Sequence, residues 1–255
     1  MSWTWETLNA PQRFFVTVSG IGLQAMTRKT QRLAKIDMNH SNLVGAKLNR
    51  LDLTDTIFRG ANLAAADLRK AMMRYVNMQG AWLPHANLSW AEAGECDARI
   101  AVFDEADLTE AVFDDARLER ASFRNAIMNR AELNRARLDD ARMMGAIMES
   151  VELCRASLQR ADLSGAILWL ADLSRADLTG ADLSNADLRG ADLTGATLAG
   201  ANLDCARFGD DAIGDDDKPL KSVLSTREAQ KAPSLDELSA ASWTTLRIGG
   251  QIHQR

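Results

Sequence analysis

Apolar residues recur at two fixed positions in every five residues from Ile36 to Asp210. This frame runs through 35 consecutive pentapeptides without an insertion or a deletion. When the residues of each pentapeptide are numbered one to five, position one is Ala in 28 of the 35, and position three is always apolar. Positions two, four and five carry nearly all of the charge. The pattern therefore predicts two inward and three outward positions in each repeat.

The five-residue period indicates the class of fold. It matches neither the 3.6-residue period of an α-helix nor the two-residue alternation of a strand, so the chain has to turn a corner once per repeat. Four pentapeptides then make one turn of a square coil, and successive turns hydrogen-bond at a spacing of about 4.8 Å. The 35 repeats therefore predict an all-β solenoid of about nine turns. Gly, Asn and Asp at positions four and five suit the tight corners.

Many repeats share an Ala-Asp-Leu motif, which is clearest in Ala171-Asp172-Leu173, Ala176-Asp177-Leu178, Ala181-Asp182-Leu183 and Ala186-Asp187-Leu188. In this respect the sequence resembles the pentapeptide-repeat family, whose motif is A(D/N)LXX. The resemblance covers about two thirds of the chain. It implies a right-handed quadrilateral β-helix over residues 36–210.

Residues 1–35 are predicted to be an N-terminal cap. Apolar residues and one Thr are spaced three or four apart there, which favours an amphipathic helix over about 22–35; these are Leu23, Met26, Thr30 and Leu33. Covering the first turn explains this helix, because an uncovered solenoid end exposes apolar side chains. A helix that binds a membrane surface or a partner is the alternative.

Residues 211–255 are predicted to be an acidic linker followed by a helical tail. Pro219 suits the first turn of one helix. Ser234 and Glu237 form a capping box for a second helix, which ends before Gly249. In the antibiotic-resistance members of the family that the repeats resemble, the C-terminal segment mediates homodimerisation. The resemblance thus implies a homodimer formed through this tail.

Charge and composition narrow the function. Thirty Lys and Arg against 35 Asp and Glu give a net charge of −5, which argues against a protein that binds nucleic acid directly by neutralising phosphates. The longest apolar run, Phe14 to Leu23, is about half a membrane span, and no basic stretch precedes it. We therefore expect no transmembrane segment and no secretory signal, and the cytoplasm is the expected compartment.

Nothing in the sequence predicts a catalytic, cofactor or metal site. Cys96, Cys154, Cys205 and three His are scattered without metal-ligand or redox spacing. A convex rod also offers no cleft in which a nucleophile and a base could meet. The Asp residues at position two point outward on all faces, and we interpret them as solvated residues of the repeat. The cysteines are expected to be reduced.

One face of the predicted coil has an apolar surface. Residues 20 apart stack on the same face, so position two of the third face reads Lys47, Asp67, Asn87, Asp107, Ile127, Ile147, Ile167, Asp187 and Arg207. Trp169 and Leu170 extend the run of three outward isoleucines. A contiguous exposed apolar surface usually marks an interface, so these five residues are the predicted interaction surface. Two occupants stay open, a partner protein and a terminal segment folded back.

The predicted function is that of a non-enzymatic scaffold that binds a protein partner through its rigid faces. The family resemblance implies an alternative, since some pentapeptide-repeat proteins resemble DNA in size and charge, bind DNA gyrase and give resistance to quinolones or other gyrase poisons. The repeats contain 27 acidic and 19 basic residues, although an Arg-rich stretch from Arg117 to Arg142 interrupts the acidic surface. A secreted bacterial effector, delivered through its N-terminal segment, is the second alternative.

Overall fold

The computed structural model describes residues 33–208 and the backbone of two short strands beyond them. Parallel backbone bridges join each position-two residue to the one twenty residues later, from Asp37 and Ile57 to Asp187 and Arg207. Four pentapeptides therefore make one turn, and the predicted β-solenoid is confirmed. We number its faces by their first pentapeptides, so that faces one to four begin with residues 36–40, 41–45, 46–50 and 51–55.

A fixed set of backbone hydrogen bonds builds every turn. The position-three N–H donates to a position-two carbonyl of the next turn, as from Leu43 to Asn62 at 2.7 Å. The position-five N–H donates to a position-four carbonyl there, and the position-two N–H donates back to position one of the turn before. The Ala46 N–H donates to the Leu43 carbonyl at 3.0 Å and closes the corner as a β-turn. This set leaves only the position-four N–H of each repeat without a backbone partner in the pattern.

That remaining N–H explains why Asp and Asn are common at position two. Asp172 Oδ1 accepts a hydrogen bond from the Ser174 N–H at 2.9 Å. The position-two side chain thus supplies the partner that the backbone does not provide for the position-four N–H at the corner. Elsewhere an Asn or Asp at position four of the preceding turn does the same, and Asn129 Oδ1 accepts from the Glu149 N–H at 3.0 Å. The position-two carboxylates therefore have a structural role, which their interpretation as merely solvated residues did not include.

Position five has a positive φ in every repeat from Lys35 to Cys205. Nine of these residues are Gly, and the other 26 carry a side chain in the left-handed region that normally favours Gly. The corner conformation is thus imposed by the hydrogen bonds of the coil and not by the residue type at each corner.

Positions one and three fill a narrow core along the whole coil. Ala93 and Ala98 reduce the volume of side chain there, and aromatic rings occupy the adjacent levels. The Phe103 ring stacks on that of Phe123, with centroids 4.9 Å apart, and meets the edge of Phe113 at 6.1 Å. All five side chains are fully buried, so the core stays packed through this region.

Leu33 to Lys35 belong to the first turn of the coil. The Leu33 N–H donates to the Asp52 carbonyl at 2.7 Å, and the Lys35 N–H donates to the Thr54 carbonyl at 2.9 Å. The helix predicted for 22–35 is therefore wrong at its carboxyl end, because these residues continue the stacking. Residues 22–32 lie outside the described part of the chain.

Two strands follow the coil. Strand β1 (Ile213–Gly214) pairs antiparallel with β2 (Leu246–Arg247), with Ile213 opposite Arg247. The predicted second tail helix is therefore wrong at 246–247, and its remainder and the helix expected after Pro219 lie outside the described residues. Within residues 33–208 and the two strands, no helix is long and apolar enough to cross a membrane.

Candidate functional site

Three isoleucines at position two of face three form an exposed apolar surface. Ile127, Ile147 and Ile167 follow one another through consecutive parallel bridges. They are 39%, 36% and 41% exposed, and successive side chains are separated by the strand spacing of about 4.8 Å. With Trp169 and Leu170 they make up what we call the face-three strip. The structure thus brings the predicted side chains together on one exposed face.

Trp169 and Leu170 widen the strip at its carboxyl-terminal end. They are 43% and 38% exposed at the two positions that close the corner after Ile167. The Leu170 side chain reaches over the next corner, where its Cδ2 lies 2.6 Å from the place that a Cβ on Gly190 would occupy. Because Gly190 has no side chain, Leu170 can lie across this corner and extend the apolar surface as far as the edge of the next turn.

The opposite edge of the strip has two glycine corners and one more apolar side chain. Gly145 and Gly165 occupy the corners between faces two and three, and no atom lies within 4 Å of the place for a Cβ on Gly165. Met144, beside the first of these corners, is exposed. The sequence prediction missed Met144, although reading position four of face two in steps of twenty residues would have found it.

Charged residues limit the strip along face three. Asp107 precedes Ile127 in the ladder of position-two residues, and Asp187 follows Ile167. The Asp187 carboxylate lies 2.6 Å from Arg189 and 3.6 Å from Arg207. The hydrogen bond from Arg189 lowers the pKa of Asp187 below its usual value, so this carboxylate stays ionised. The apolar surface therefore spans three turns and ends at fixed charges.

The backbone N–H and carbonyl groups of the three strip isoleucines are already used in the ladder. The Ile147 N–H donates to the Ala126 carbonyl at 2.9 Å, and its carbonyl accepts from the Met128 N–H at 2.7 Å. A partner therefore cannot add a strand to this face in the manner of an exposed sheet edge. Its attraction for the strip has to come from burial of the apolar side chains.

A second apolar surface, which the sequence prediction missed, lies on face two near the amino-terminal end. Trp82 is 50% exposed and is bridged to Val102 in the next turn. Ile100, at the corner before Val102, is 52% exposed and lies over Gly80. The first three pentapeptides of face two contain no Lys, Arg, Asp or Glu. Position two of face two, read in steps of twenty, carries the signal for this surface.

The Arg-rich middle turns carry ion pairs between adjacent turns. Arg135 lies 2.7 Å from Asp115, and Arg160 lies 2.8 Å from Asp140. The hydrogen bonds from these guanidinium groups lower the pKa of both carboxyl groups. Such exposed pairs contribute little to stability, but they neutralise part of the acidic surface in these turns.

The cysteines are free and far apart in the repeat. Cys96 is buried at position one, and its burial raises the pKa of the thiol well above the usual value. Cys154 is partly buried and Cys205 is exposed. Among the residues that the structure describes, no group of three or more His, Cys, Asp and Glu is placed to hold a metal ion.

These features define a β-solenoid protein built from five-residue repeats and carrying an exposed apolar surface. The family described as Pentapeptide repeats matches the chain in eight overlapping copies that span residues 31–210. The chain belongs to the pentapeptide-repeat family, whose known structures are right-handed β-helix solenoids. Members of this family are generally non-enzymatic scaffolds.

Several solved structures are similar to this chain. HetL, a pentapeptide repeat protein involved in heterocyst differentiation regulation from the cyanobacterium Nostoc sp. strain PCC 7120, is 27% identical with a TM-score of 0.50. That match covers 79% of this chain and 98% of HetL. QnrB1, a plasmid-mediated fluoroquinolone resistance protein, is 22% identical over 58% of this chain and 77% of its own, with a TM-score of 0.47. No curated protein matches the chain at a significant level.

Proposed function

We propose that the protein is a non-enzymatic scaffold that binds a protein partner through the face-three strip. The observation that carries this proposal is the run of Ile127, Ile147 and Ile167, exposed one above another and widened by Trp169 and Leu170. A contiguous apolar surface of this kind usually marks an interaction site. The backbone under it is rigid, so the strip presents the same shape to every partner.

The isoleucines replace residues that would serve the fold better. At many other position-two sites an Asp or Asn oxygen accepts the position-four N–H, as Asp162 does from Ser164 at 3.1 Å. Ile has no oxygen to offer, and a hydrogen bond of this kind is worth about 1 kcal/mol. In the Ile147 repeat the Glu149 N–H bonds instead to Asn129 Oδ1 of the preceding turn at 3.0 Å. Two of the three isoleucine repeats therefore forgo the corner bond, which favours a surface property over stability as the reason for the isoleucines.

Covering the strip would favour association. Complete burial of an exposed Ile side chain is worth about 1.5 to 3 kcal/mol, and the three isoleucines of the strip are each somewhat more than one third exposed. Together with Trp169 they supply a few kcal/mol, from which the cost of association has to be subtracted. A partner therefore needs a flat or concave apolar surface about three turns long, with polar contacts at the ends.

Two further observations support this function. HetL, which the match covers over nearly its whole length, is involved in the regulation of heterocyst differentiation, a role that a binding scaffold can perform. All three cysteines of this chain are free. Free cysteines suit the reducing cytoplasm, which is the compartment that we propose.

The experiment is capture of a partner from a bacterial lysate by the full-length protein and by two variants. Ile147→Asp places a charge in the strip, yet Asp is an ordinary residue at position two, so the fold should persist. Ile57→Asp is the matched control, because Ile57 is a position-two isoleucine on face one between Asp37 and Asn77. A protein retained by the wild type and the control but lost with Ile147→Asp supports the proposal. Equal capture by all three contradicts it.

DNA mimicry toward DNA gyrase is a second candidate function, and the last turns of the solenoid favour it. Residues 161–200 contain six Asp, all at position two and distributed over the four faces, against Arg175 and Arg189. Two turns rise about 10 Å, over which B-DNA carries about six negative charges. The net charge of −4 in these turns approaches that value. Over the whole repeat region the charge density is only about one third of that of DNA.

Purified DNA gyrase tests this second function directly. If the acidic turns bind the enzyme in place of DNA, the full-length protein should inhibit supercoiling. The Asp162→Asn and Asp182→Asn double variant should inhibit less, because Asn keeps the corner hydrogen bond and removes the charge. Supercoiling that is unaffected by an excess of the wild-type protein would exclude this function.

A further inference from the structure

Face two has an uncharged half and a charged half. Its first three pentapeptides contain no Lys, Arg, Asp or Glu, whereas each of the next three contains at least one of them. Val44 and Trp82 are exposed in the uncharged half, and Ile100 and Val102 continue the apolar surface where the charged half begins. We call these four residues the face-two surface. A contiguous apolar surface of this kind usually marks an interface.

The surroundings of Trp82 differ from those of Trp90, which lies at a corner of face three. The Trp90 Nε1–H donates to Glu110 Oε2 at 2.7 Å, and the Lys70 ammonium lies 5.0 Å from the centroid of the Trp90 ring. Charged residues of its own coil therefore hold Trp90 in place. The two residues that neighbour Trp82 in the position-two ladder are uncharged, so the ring of Trp82 is suited to contact with an apolar surface of another molecule.

A second copy of the chain, turned end to end, matches the two halves of face two. The required two-fold axis is perpendicular to the rod, in the plane of contact, at the level between Trp82 and Val102. Each residue then meets a different residue of the other copy, and the reciprocal contact forms as well. Trp82 meets Val102 of the second copy. Val44, which is 52% exposed, meets Met144 of the second copy, which is 44% exposed.

The charges of face two fit this antiparallel arrangement. Every charged residue at positions two and four of the six turns would face an uncharged residue of the other copy, namely Asp104 with Pro84, Arg124 with Ala64, and Arg142 with Asn42. A parallel pair would instead bring Arg142 of both copies to the same level in the middle of the face, where like charges repel. The charge pattern therefore favours the antiparallel pair.

We propose that the protein forms an antiparallel homodimer through face two, with the two-fold axis between the turns of Trp82 and Val102. The outermost pairs of facing residues are five turns apart, or about 24 Å. A contact of this length and one face wide is at the lower end of the range for specific interfaces, where roughly 1,000 Å² is buried in total. We therefore expect a dissociation constant in the micromolar range.

The dimer also determines how the face-three strips are presented. The same edge of face two borders face three in both copies, so an antiparallel pair directs both face-three strips to one side. A partner with two matching sites could then bind both strips at once and gain affinity from the linkage. This consequence rests on the function proposed above, whereas the dimer itself does not.

Sedimentation velocity of the full-length protein over a series of concentrations tests the dimer. The wild type should pass from monomer to dimer at micromolar concentrations. Trp82→Asn should raise the dissociation constant about tenfold or more, and its fold should persist because Asn is an ordinary residue at position two. Met72→Asn is the matched control, since Met72 is an exposed position-two residue on face four. This control should dimerise like the wild type.

An exchange of charges tests the register of the two copies. Val44 and Met144 of one chain are about 24 Å apart, so they cannot pair with each other within that chain. Val44→Lys alone should weaken the dimer several-fold. Adding Met144→Asp to this variant should restore dimerisation, because the two new charges meet across the two-fold axis. Only contact between two copies explains such a recovery.

Three results would overturn the proposal. The first is a wild type that remains monomeric at the highest micromolar concentrations, as it would if a terminal segment or another partner covers face two. The second is a dimer that is unaffected by Trp82→Asn and Val44→Lys, because its contact would then lie elsewhere, as in the predicted dimer through the tail. The third is a double variant that dimerises no better than Val44→Lys. Sedimentation uses the protein alone, so failure to capture a partner through the face-three strip would refute the scaffold function and leave the dimer standing.

Discussion

Each side chain of this solenoid acts according to its position in the pentapeptide. Positions one and three exclude water, and position two supplies an oxygen for the corner in many repeats. Position five adopts a left-handed backbone whether or not it is Gly. A substitution is therefore judged first by its position in the repeat and only then by its residue type.

The buried aromatic group around Phe103 should be costly to disturb. Replacing Phe103 with Ala removes the ring that stacks on Phe123 and meets Phe113. The nearby buried Ala98 is too small to fill the space that the ring leaves. We expect a loss of about 3 to 5 kcal/mol in the free energy of unfolding, measured by urea denaturation. Phe208→Ala, at a partly buried site in the last repeat, is the control and should cost less. Equal losses would show that the rings do not pack as described.

The ion pair at the end of the strip should have a small, pH-dependent effect on stability. The lowered pKa of Asp187 means that its carboxylate stabilises the folded state at neutral pH. This contribution is present above the unfolded value of about 3.9 and is lost as the pH falls through the lower folded value. Asp187→Asn keeps an oxygen for the Arg189 N–H, and it removes the charge together with one of the two oxygens that accept from the Arg189 guanidinium.

Urea denaturation of the wild type and Asp187→Asn at two pH values measures this contribution. The variant should be slightly less stable at pH 7, and the two proteins should become equal in strongly acidic solution. A difference that grows as the pH falls would contradict the assigned direction of the pKa shift.

At the scale of one face of the coil, hydrogen bonding determines which structural features the sequence predicts and which features it does not reveal. The period of five places inward and outward residues correctly because burial follows repeat position. Leu33 fits both the helical spacing and position three of a pentapeptide. Its N–H donates to the Asp52 carbonyl of the next turn, so Leu33 belongs to the coil. Leu246 pairs with Gly214, more than thirty residues away, so no local pattern reveals that strand. The sequence prediction missed Met144 for a simpler reason, because this residue lies on the neighbouring face.

The corner bond from position two can be measured on its own. Asp172→Ala removes the oxygen that accepts the Ser174 N–H, whereas Asp172→Asn keeps an oxygen there and removes only the charge. We expect the Ala variant to be about 1 kcal/mol less stable than the Asn variant in thermal or urea unfolding. Identical stabilities would mean that water replaces the carboxylate at no cost, and that Asp serves solubility alone.

At the scale of the whole molecule, the solenoid is a rod whose four faces are set by counting residues. A shift of twenty residues moves a side chain along one face, and a shift of five moves it to the next face. The face-three strip exists only because its isoleucines keep the spacing of twenty.

Deletions of different length should therefore have different effects. Removing residues 136–140 takes out one pentapeptide and keeps every later residue at its repeat position, so the protein should still unfold cooperatively by circular dichroism. The deletion moves Ile147 and Ile167 to face two and separates them from Ile127. Removing residues 136–139 instead would bring Arg142 to position three in the core. We expect that shorter deletion to prevent folding of the later turns, and equal stability of the two variants would refute the five-residue unit.

The uniform sequence separation of hydrogen-bonded partners also determines when each turn of the solenoid folds during translation. Each turn needs only the next twenty or so residues to complete its bonds, a separation that is small for a β protein. A ribosome adds about 5 to 20 residues per second, so one turn is completed roughly every one to four seconds, beginning at the amino terminus. The turns that carry Ile127, Ile147 and Ile167 are therefore completed before the last turns of the coil. The nascent chain thus presents its apolar face while the last turns are still forming, which makes translation itself an opportunity for a partner to bind.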